Sequence, residues 1–293
     1  MKSLKQHIKE SFKIGRNKIV PYSYFPTHRN ELKNIIINKL EETPDADLND
    51  IDISKITDLS YLFFDVCCDA NSDLKVGNIK IDMWDVSHVI DMSEMFYNCY
   101  YFNADISNWD VSNVTNMREM FSNCSEFDCD LSKWDVSNVE DLDYTFYGCV
   151  KFNCDLSKWK VDKVEIMSKT FQGCVAFEGK GLEKWNTGKV RTMSGMFEYC
   201  KNLKADLSNW DVSNVENMAW MFNECSLFDS DLSKWKVENV RYMEHMFSGC
   251  KKFNCDLNNW YVRATDLIKM FNNCGITDLP KWYKIWKEKN KNK

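Results

Sequence analysis

A chain of 293 residues with a net charge of −6 would ordinarily make one or two domains, and its mild acidity disfavours non-specific binding to nucleic acid or to an anionic membrane. No run of about 18 apolar residues occurs, so the sequence offers no transmembrane helix. Thirteen cysteines, an odd number, sit awkwardly with an oxidising compartment.

Residues 1–26 stand apart. The opening MKSLKQHIKESFKIGRNKIV keeps breaking its apolar residues with charge and lacks the apolar core of a secretory signal. Leu4, Ile8 and Phe12 are spaced for a short amphipathic helix, and Pro21 and Pro26 bracket an aromatic loop, Tyr22 to Phe25. Residues 27–82 read as an N-terminal cap helix and an atypical first turn. Thr27 is the expected helix cap, Leu32, Ile35, Ile36 and Leu40 make one apolar face, and Thr43-Pro44 ends it. Asp45, Asp47 and Asn49 have calcium-loop spacing, but Asp50 stands at the glycine position and Ile56 at the glutamate position, so an Asx-rich turn is expected instead.

From residue 83 to 274 one unit recurs about every 25 residues, the signature of a repeat architecture. Trp84, Trp109, Trp134, Trp159, Trp185, Trp210, Trp235 and Trp260 keep the beat, with one extra residue before Trp185. A cysteine column from Cys99 to Cys274 and a phenylalanine column from Phe96 to Phe271 keep it too. Met117, Met120, Phe121 and Cys124 fall at i, i+3, i+4, i+7, which predicts a helix or tight helical turns. In Leu131-x-x-Trp134-x-Val136 the last two positions alternate as in a short strand, and Val-Ser-Asn-Val suits a turn. One unit buries too little apolar surface to offset its backbone entropy, so neighbours must complete each other's cores. Each column then becomes an internal ladder with rungs about 5 Å apart. Cys129, Cys154 and Cys255 share a column with Ala104, Ala205 and Ser230, which points to packing rather than thiol chemistry. The expectation is therefore buried thiols in a reducing compartment, with Cys67-Cys68 as the exception. Residues 275–293 read as a C-terminal cap, with Ile276, Leu279, Trp282 and Trp286 as apolar cover, and a lysine-rich tail.

The fold class expected is an α/β repeat solenoid with one short strand and one helical turn segment per repeat. The pattern V-x-x-M-x-x-M-F-x-x-C followed by F-x-x-D-L-S-x-W-D-V-S, as in DISNWDVSNVTNMREMFSNC, resembles the repeat of BspA-like leucine-rich-repeat surface proteins over roughly residues 52–274. That resemblance implies a leucine-rich-repeat-like solenoid used for binding, often on bacterial surfaces, and no catalytic residues. MKSLKQHIKES is similar to short N-terminal peptides of some tailed-phage proteins.

No phosphate-binding, dinucleotide, nucleophile-elbow or zinc-protease motif occurs, and His7, His28, His88 and His245 lie in unlike positions. Asp105, Asp130, Asp155, Asp206, Asp231 and Asp256 recur in nearly every unit, as turn caps would and a catalytic pair would not. No enzyme activity, cofactor or metal is expected. The residues flanking tryptophan should face outward and form the binding surface. These are Asp85, Asp110, Asp135, Lys160, Asp211, Lys236 and Tyr261 after it, and Lys133 and Lys158 before it. The function expected is protein–protein interaction in the cytoplasm, with a virion or assembly component and a surface adhesin as alternatives.

Overall fold

A computed structural model describes residues 12–15, 18–67 and 76–291 of the chain. It is a repeat structure in which successive units pair through single parallel bridges, running from Asp58 to Asp91, Asn116, Asp141, Ile166, Thr192, Asn217, Tyr242 and Asp266.

Within a unit the chain turns repeatedly. Trp134 N–H closes a turn onto Leu131 C=O at 3.0 Å, and Val139 N–H another onto Val136 C=O at 3.0 Å. Aspartates hold these turns open at their starts. Asp130 Oδ1 accepts from Ser132 N–H at 2.9 Å, Asp135 Oδ1 from Ser137 N–H at 3.0 Å, and Asp141 Oδ1 from Asp143 N–H at 2.7 Å. The turn at Val-Ser-Asn-Val is as expected. The strand expected over Leu-x-x-Trp-x-Val is not formed: that segment is a turn, and the parallel pairing lies further on, at the residue before the first methionine position.

The expected helix over the Met-x-x-Met-Phe-x-x-Cys half is also replaced. In the unit at 141–149 the N–H groups of Leu142, Tyr144, Phe146 and Gly148 leave the unit. They donate to the carbonyls of Ile166, Ser168, Thr170 and Gln172 in the next, at 3.1, 2.9, 2.8 and 2.8 Å. The intervening N–H groups close short turns, Thr145 to Leu142, Tyr147 to Tyr144 and Cys149 to Phe146. Residues with φ near +60° recur two per unit and four apart, such as Tyr144 (54°) and Gly148 (70°). A left-handed residue at that interval prevents a right-handed helix while still returning i, i+3, i+4, i+7 side chains to the core. Neither a regular strand nor a helix recurs per unit.

The columns do form a shared dry interior. The eight tryptophans from Trp84 to Trp260 are at most 4% exposed. Neighbouring indoles lie nearly parallel, as at Trp159–Trp185 (6.3 Å, 2°), and Trp159 Nε1 donates to Leu131 C=O of the preceding unit at 3.1 Å. Phenylalanine rungs sit 5.6 Å apart at Phe121–Phe146 and Phe146–Phe171. The cysteine column is more than filler. The Cys149 thiol donates to Phe121 C=O at 3.0 Å, and Cys124, Cys174, Cys200, Cys225 and Cys250 repeat the contact at 2.9–3.0 Å. In the small-residue column Cys154 and Ser230 accept from Leu131 and Leu207 N–H at 3.1 and 2.9 Å, so sulfur and hydroxyl do one job there.

At the N-terminal end, Phe12–Gly15 (β1) and Lys18–Pro21 (β2) pair as an antiparallel hairpin. Phe12 is thus in a strand, not a helix; Leu4 and Ile8, with the peptide MKSLKQHIKES, lie outside the described residues. Helix α1, Arg29–Glu42, buries Leu32, Ile36 and Leu40. Its cap is His28 rather than Thr27: the imidazole accepts from Glu31 N–H at 3.2 Å, and Glu31 reaches back to Thr27 N–H at 2.8 Å. The calcium-spaced Asn49 is spent on structure, donating to Asp82 Oδ1 at 2.9 Å and accepting from Met83 N–H at 2.9 Å. A short helix, α2, Leu62–Cys67, occupies the first unit, and α3, Lys281–Lys289, follows the last.

The extra residue before Trp185 is absorbed by Gly179 and Gly181, at φ 82° and 94°, and a 3-10 turn at Leu182–Lys184. A Cβ on Gly181 would lie 2.1 Å from Ser157 N. Gly181→Ala should therefore lower stability by about 2–4 kcal/mol in urea unfolding. A loss within about 0.5 kcal/mol would show that the backbone can yield there.

Candidate protein-binding face

The left-handed positions decide which side chains face out. One column of them runs Tyr61, Glu94, Glu119, Tyr144, Lys169, Gly195, Trp220, His245 and Lys269, all with φ between 52° and 64°. Glycine would adopt that backbone without strain, whereas other residues incur roughly 1–2 kcal/mol. Yet only Gly195 is glycine. The second left-handed column, four residues on, obeys conformation instead, with Asn98, Asn123, Gly148, Gly173, Gly249 and Asn273, broken by Tyr199 and Glu224. The first column does not follow conformational preference.

Glu94, Glu119, Tyr144, Lys169, Trp220 and His245 are half-buried, and contacts run along the ladder. Tyr61 Oη donates to Glu94 Oε1 at 2.6 Å. Arg118 pairs with Glu119 and lies 3.9 Å from Glu94 and 3.8 Å from Asp143. Lys169 sits over the Tyr144 ring at 5.0 Å, and the Trp220 and His245 rings stack at 3.7 Å. Phe64 and Tyr97 meet edge-on beside Tyr61, and Tyr147 beside Tyr144. The face is therefore aromatic along its length, acidic around Glu94, Glu119 and Asp143, and basic at Arg118, Lys169 and Lys269.

Crowding of carboxylates shows in their protonation. Burial, then the neighbouring Asp141, push Asp143 up to about 6 against the pull of Arg118, and Asp143 Oδ1 is buried with no hydrogen-bond partner. Burial also raises Glu119 and Asp141. Glu198, buried between Gln172 Nε2 at 2.6 Å and Asn223 Nδ2 at 3.0 Å, is likewise raised by burial.

The nine residues singled out from sequence, Asp85, Asp110, Asp135, Lys160, Asp211, Lys236, Tyr261, Lys133 and Lys158, are all exposed, and none belongs to the left-handed column. There the acids are tied into turns. Asp85, Asp110 and Asp211 accept from Ser87, Ser112 and Ser213 N–H at 3.2, 3.1 and 3.0 Å, as Asp135 does from Ser137. The Ser137 and Ser213 hydroxyls hold Asp135 and Asp211 below the usual carboxylate range. Tyr261 lies under Arg263 at 5.2 Å. The recurring Asp105, Asp155, Asp206, Asp231 and Asp256 cap turns as well. The signal overlooked in the sequence is the third residue of each Met-x-x-Met step, where aromatic, acidic and basic residues alternate without regard to size.

Burial suppresses ionisation of the core thiols. Burial pushes Cys149 and Cys200 far above the ordinary thiol value and Cys154 up to about 12. Cys67 differs: its sulfur lies 3.4 Å from Cys99 Sγ, and that hydrogen bond lowers it. Cys68 is outside the described residues. Among the described residues no helix is long and apolar enough to cross a membrane.

A family model described as "Mycoplasma protein of unknown function, DUF285" matches this chain twice in tandem, over residues 66–181 and 166–282. No curated protein matches the chain.

A carboxylate raised by its surroundings destabilises the fold when ionised, so the contribution of Asp143 is most favourable below about pH 4 and is lost as pH rises through about 6. Asp143→Asn should raise the melting temperature at pH 8 and give no such gain at pH 4.5. Thermal denaturation at the two pH values checks this; equal shifts at both would refute the assignment.

Proposed function

The chain belongs to this DUF285 family, whose matches jointly take in residues 66–282, and on that footing we propose that it is a non-catalytic, leucine-rich-repeat-like solenoid that binds a protein partner along the left-handed column. The supporting observation is the filling of that column: large aromatic and charged side chains occupy positions where glycine would relieve strain. Side chains held against conformational preference by the surrounding ladder are pre-organised, which lowers the entropy lost on binding. Acidic and aromatic groups interleaved in this way suit a partner presenting lysine or arginine, through ion pairs and cation–π contacts. We assign the protein to the cytoplasm, a reading supported by thiols that donate to carbonyls in the core.

Two variants separate this surface from the tryptophan-flanking one. Tyr144→Gly/Trp220→Gly should abolish recovery of the partner in a pull-down while leaving stability within about 1 kcal/mol of wild type. Asp110→Lys/Asp135→Lys/Lys160→Glu should retain it. Loss only in the second variant would move the binding surface to the tryptophan-flanking side; retention in both would defeat the proposal for either.

A further inference from the structure

The cysteine column begins with a pair. From Cys124 to Cys250 each buried thiol donates to a phenylalanine carbonyl of the preceding unit at 2.9–3.0 Å, and burial holds its proton in place. Cys99, the first of the column and buried, meets a second sulfur, Cys67 Sγ, at 3.4 Å. The repeat does not call for that second sulfur. Phe63 stacks on Phe96 at 5.0 Å and donates its N–H to Met95 C=O, as Phe96 does to Met120 C=O, so the two hold equivalent places. The third residue after Phe96 is Cys99, whereas the third after Phe63 is Val66, which is fully buried. Cys67 stands one residue past that slot, half-buried, at the C-terminal end of α2.

The two thiols are unlike. The hydrogen bond from Cys99, and with it the Val76 backbone N–H, favours the ionised form of Cys67 against the opposing effect of burial. Cys99 is shielded behind it. A reachable thiolate beside a shielded thiol is the arrangement in which one sulfur attacks and its neighbour resolves.

We propose that Cys67 and Cys99 form a redox-modifiable dithiol whose reaction partner is a low-molecular-weight disulfide of the oxidised-glutathione class. The Cys67 sulfur attacks one sulfur of that disulfide, its S–S bond breaks, and one small thiolate leaves and takes up the proton that Cys67 gave up. The Cys99 sulfur then attacks Cys67 Sγ, the mixed disulfide breaks, and the second small thiol leaves with the proton of Cys99. Two protein thiols lose two electrons and the small disulfide gains them. Closing from 3.4 Å to a bond of about 2.0 Å brings the sulfurs about 1.4 Å nearer. The new bond ties α2 to the next unit, across a joint that Tyr61 and Phe63 N–H already bridge to Ser93 and Met95 C=O at 3.0 and 2.9 Å. In a reducing compartment a disulfide of this kind is transient and sensing.

The test exposes the reduced full chain to oxidised glutathione, alkylates it with N-ethylmaleimide, and maps its tryptic peptides by tandem mass spectrometry. The first cross-link should join Cys67 to Cys99, form at least about 100-fold faster than any thiol from Cys124 to Cys250 reacts, and be reversed by dithiothreitol. Cys99→Ser should stop at a glutathione adduct on Cys67, and Cys68→Ser should leave the rate of cross-linking within about 2-fold of wild type. Oxidation should slow exchange of the Tyr61 and Phe63 amides about 10-fold or more. The inference is overturned if the first cross-link uses Cys68 or joins two chains, if glutathione stays on Cys67 of the wild type, or if those two amides exchange as before. Should Cys99→Ser fail to fold, Cys67→Ser at its half-buried position takes its place. Its thiols should react with oxidised glutathione at least about 10-fold more slowly than wild type, and an unchanged rate overturns the inference. None of these readouts involves Tyr144 or Trp220, so the protein-binding face is tested separately.

Discussion

The backbone N–H groups of the Met-x-x-Met-Phe-x-x-Cys half must find acceptors, and they find them in the next unit rather than four residues back. That commitment shapes everything else. It turns the helix-like apolar spacing into a chain of short turns and demands left-handed residues at a four-residue interval. It also carries the side chains between those residues to the outside in register. A unit whose hydrogen bonds leave it has no independent stability, so the array is cooperative by construction. The indole and thiol contacts to preceding carbonyls add to the same dependence.

Much of this was open to reading. Tryptophan, phenylalanine and cysteine recur because each must fill the same slot in every unit, and a slot repeated eight times is visible without coordinates. The aspartates were legible for a similar reason, since D-x-S is a local turn device that needs no tertiary context. What could not be read was the backbone between them. Apolar spacing reports which side chains return to the core and is silent on the sign of φ; Met117, Met120, Phe121 and Cys124 satisfy a helix and this turn chain equally well. Glycine and asparagine at Gly148, Gly173, Gly249, Asn98 and Asn123 were the available hint.

The outward surface takes on a different meaning for a related reason. Alternation around tryptophan suggested a strand, and a strand would have presented Asp110 and Lys133 as a variable face. Because the segment is a turn, the carboxylates of Asp110 and Asp135 hold N–H groups, and their regular recurrence follows from folding. Irregularity is the better guide in a repeat protein: Glu119, Tyr144, Lys169, Trp220 and His245 succeed one another in a single slot with no common size, charge or shape. Asp143 and Glu198 lie beside that slot with raised proton affinities, a second mark of side chains placed at some expense to the fold.

The tryptophan column does not stop with the last unit. Trp282, on α3, stacks on Trp260 at 6.4 Å and 9°, and its indole N–H reaches Leu257 C=O at 2.8 Å, as every earlier indole reaches the leucine or isoleucine before it. A helix thus impersonates one more rung. Such a terminator fits onto any unit of the array, so gene duplication or deletion could lengthen or shorten this protein by whole multiples of its period without redesigning either extremity.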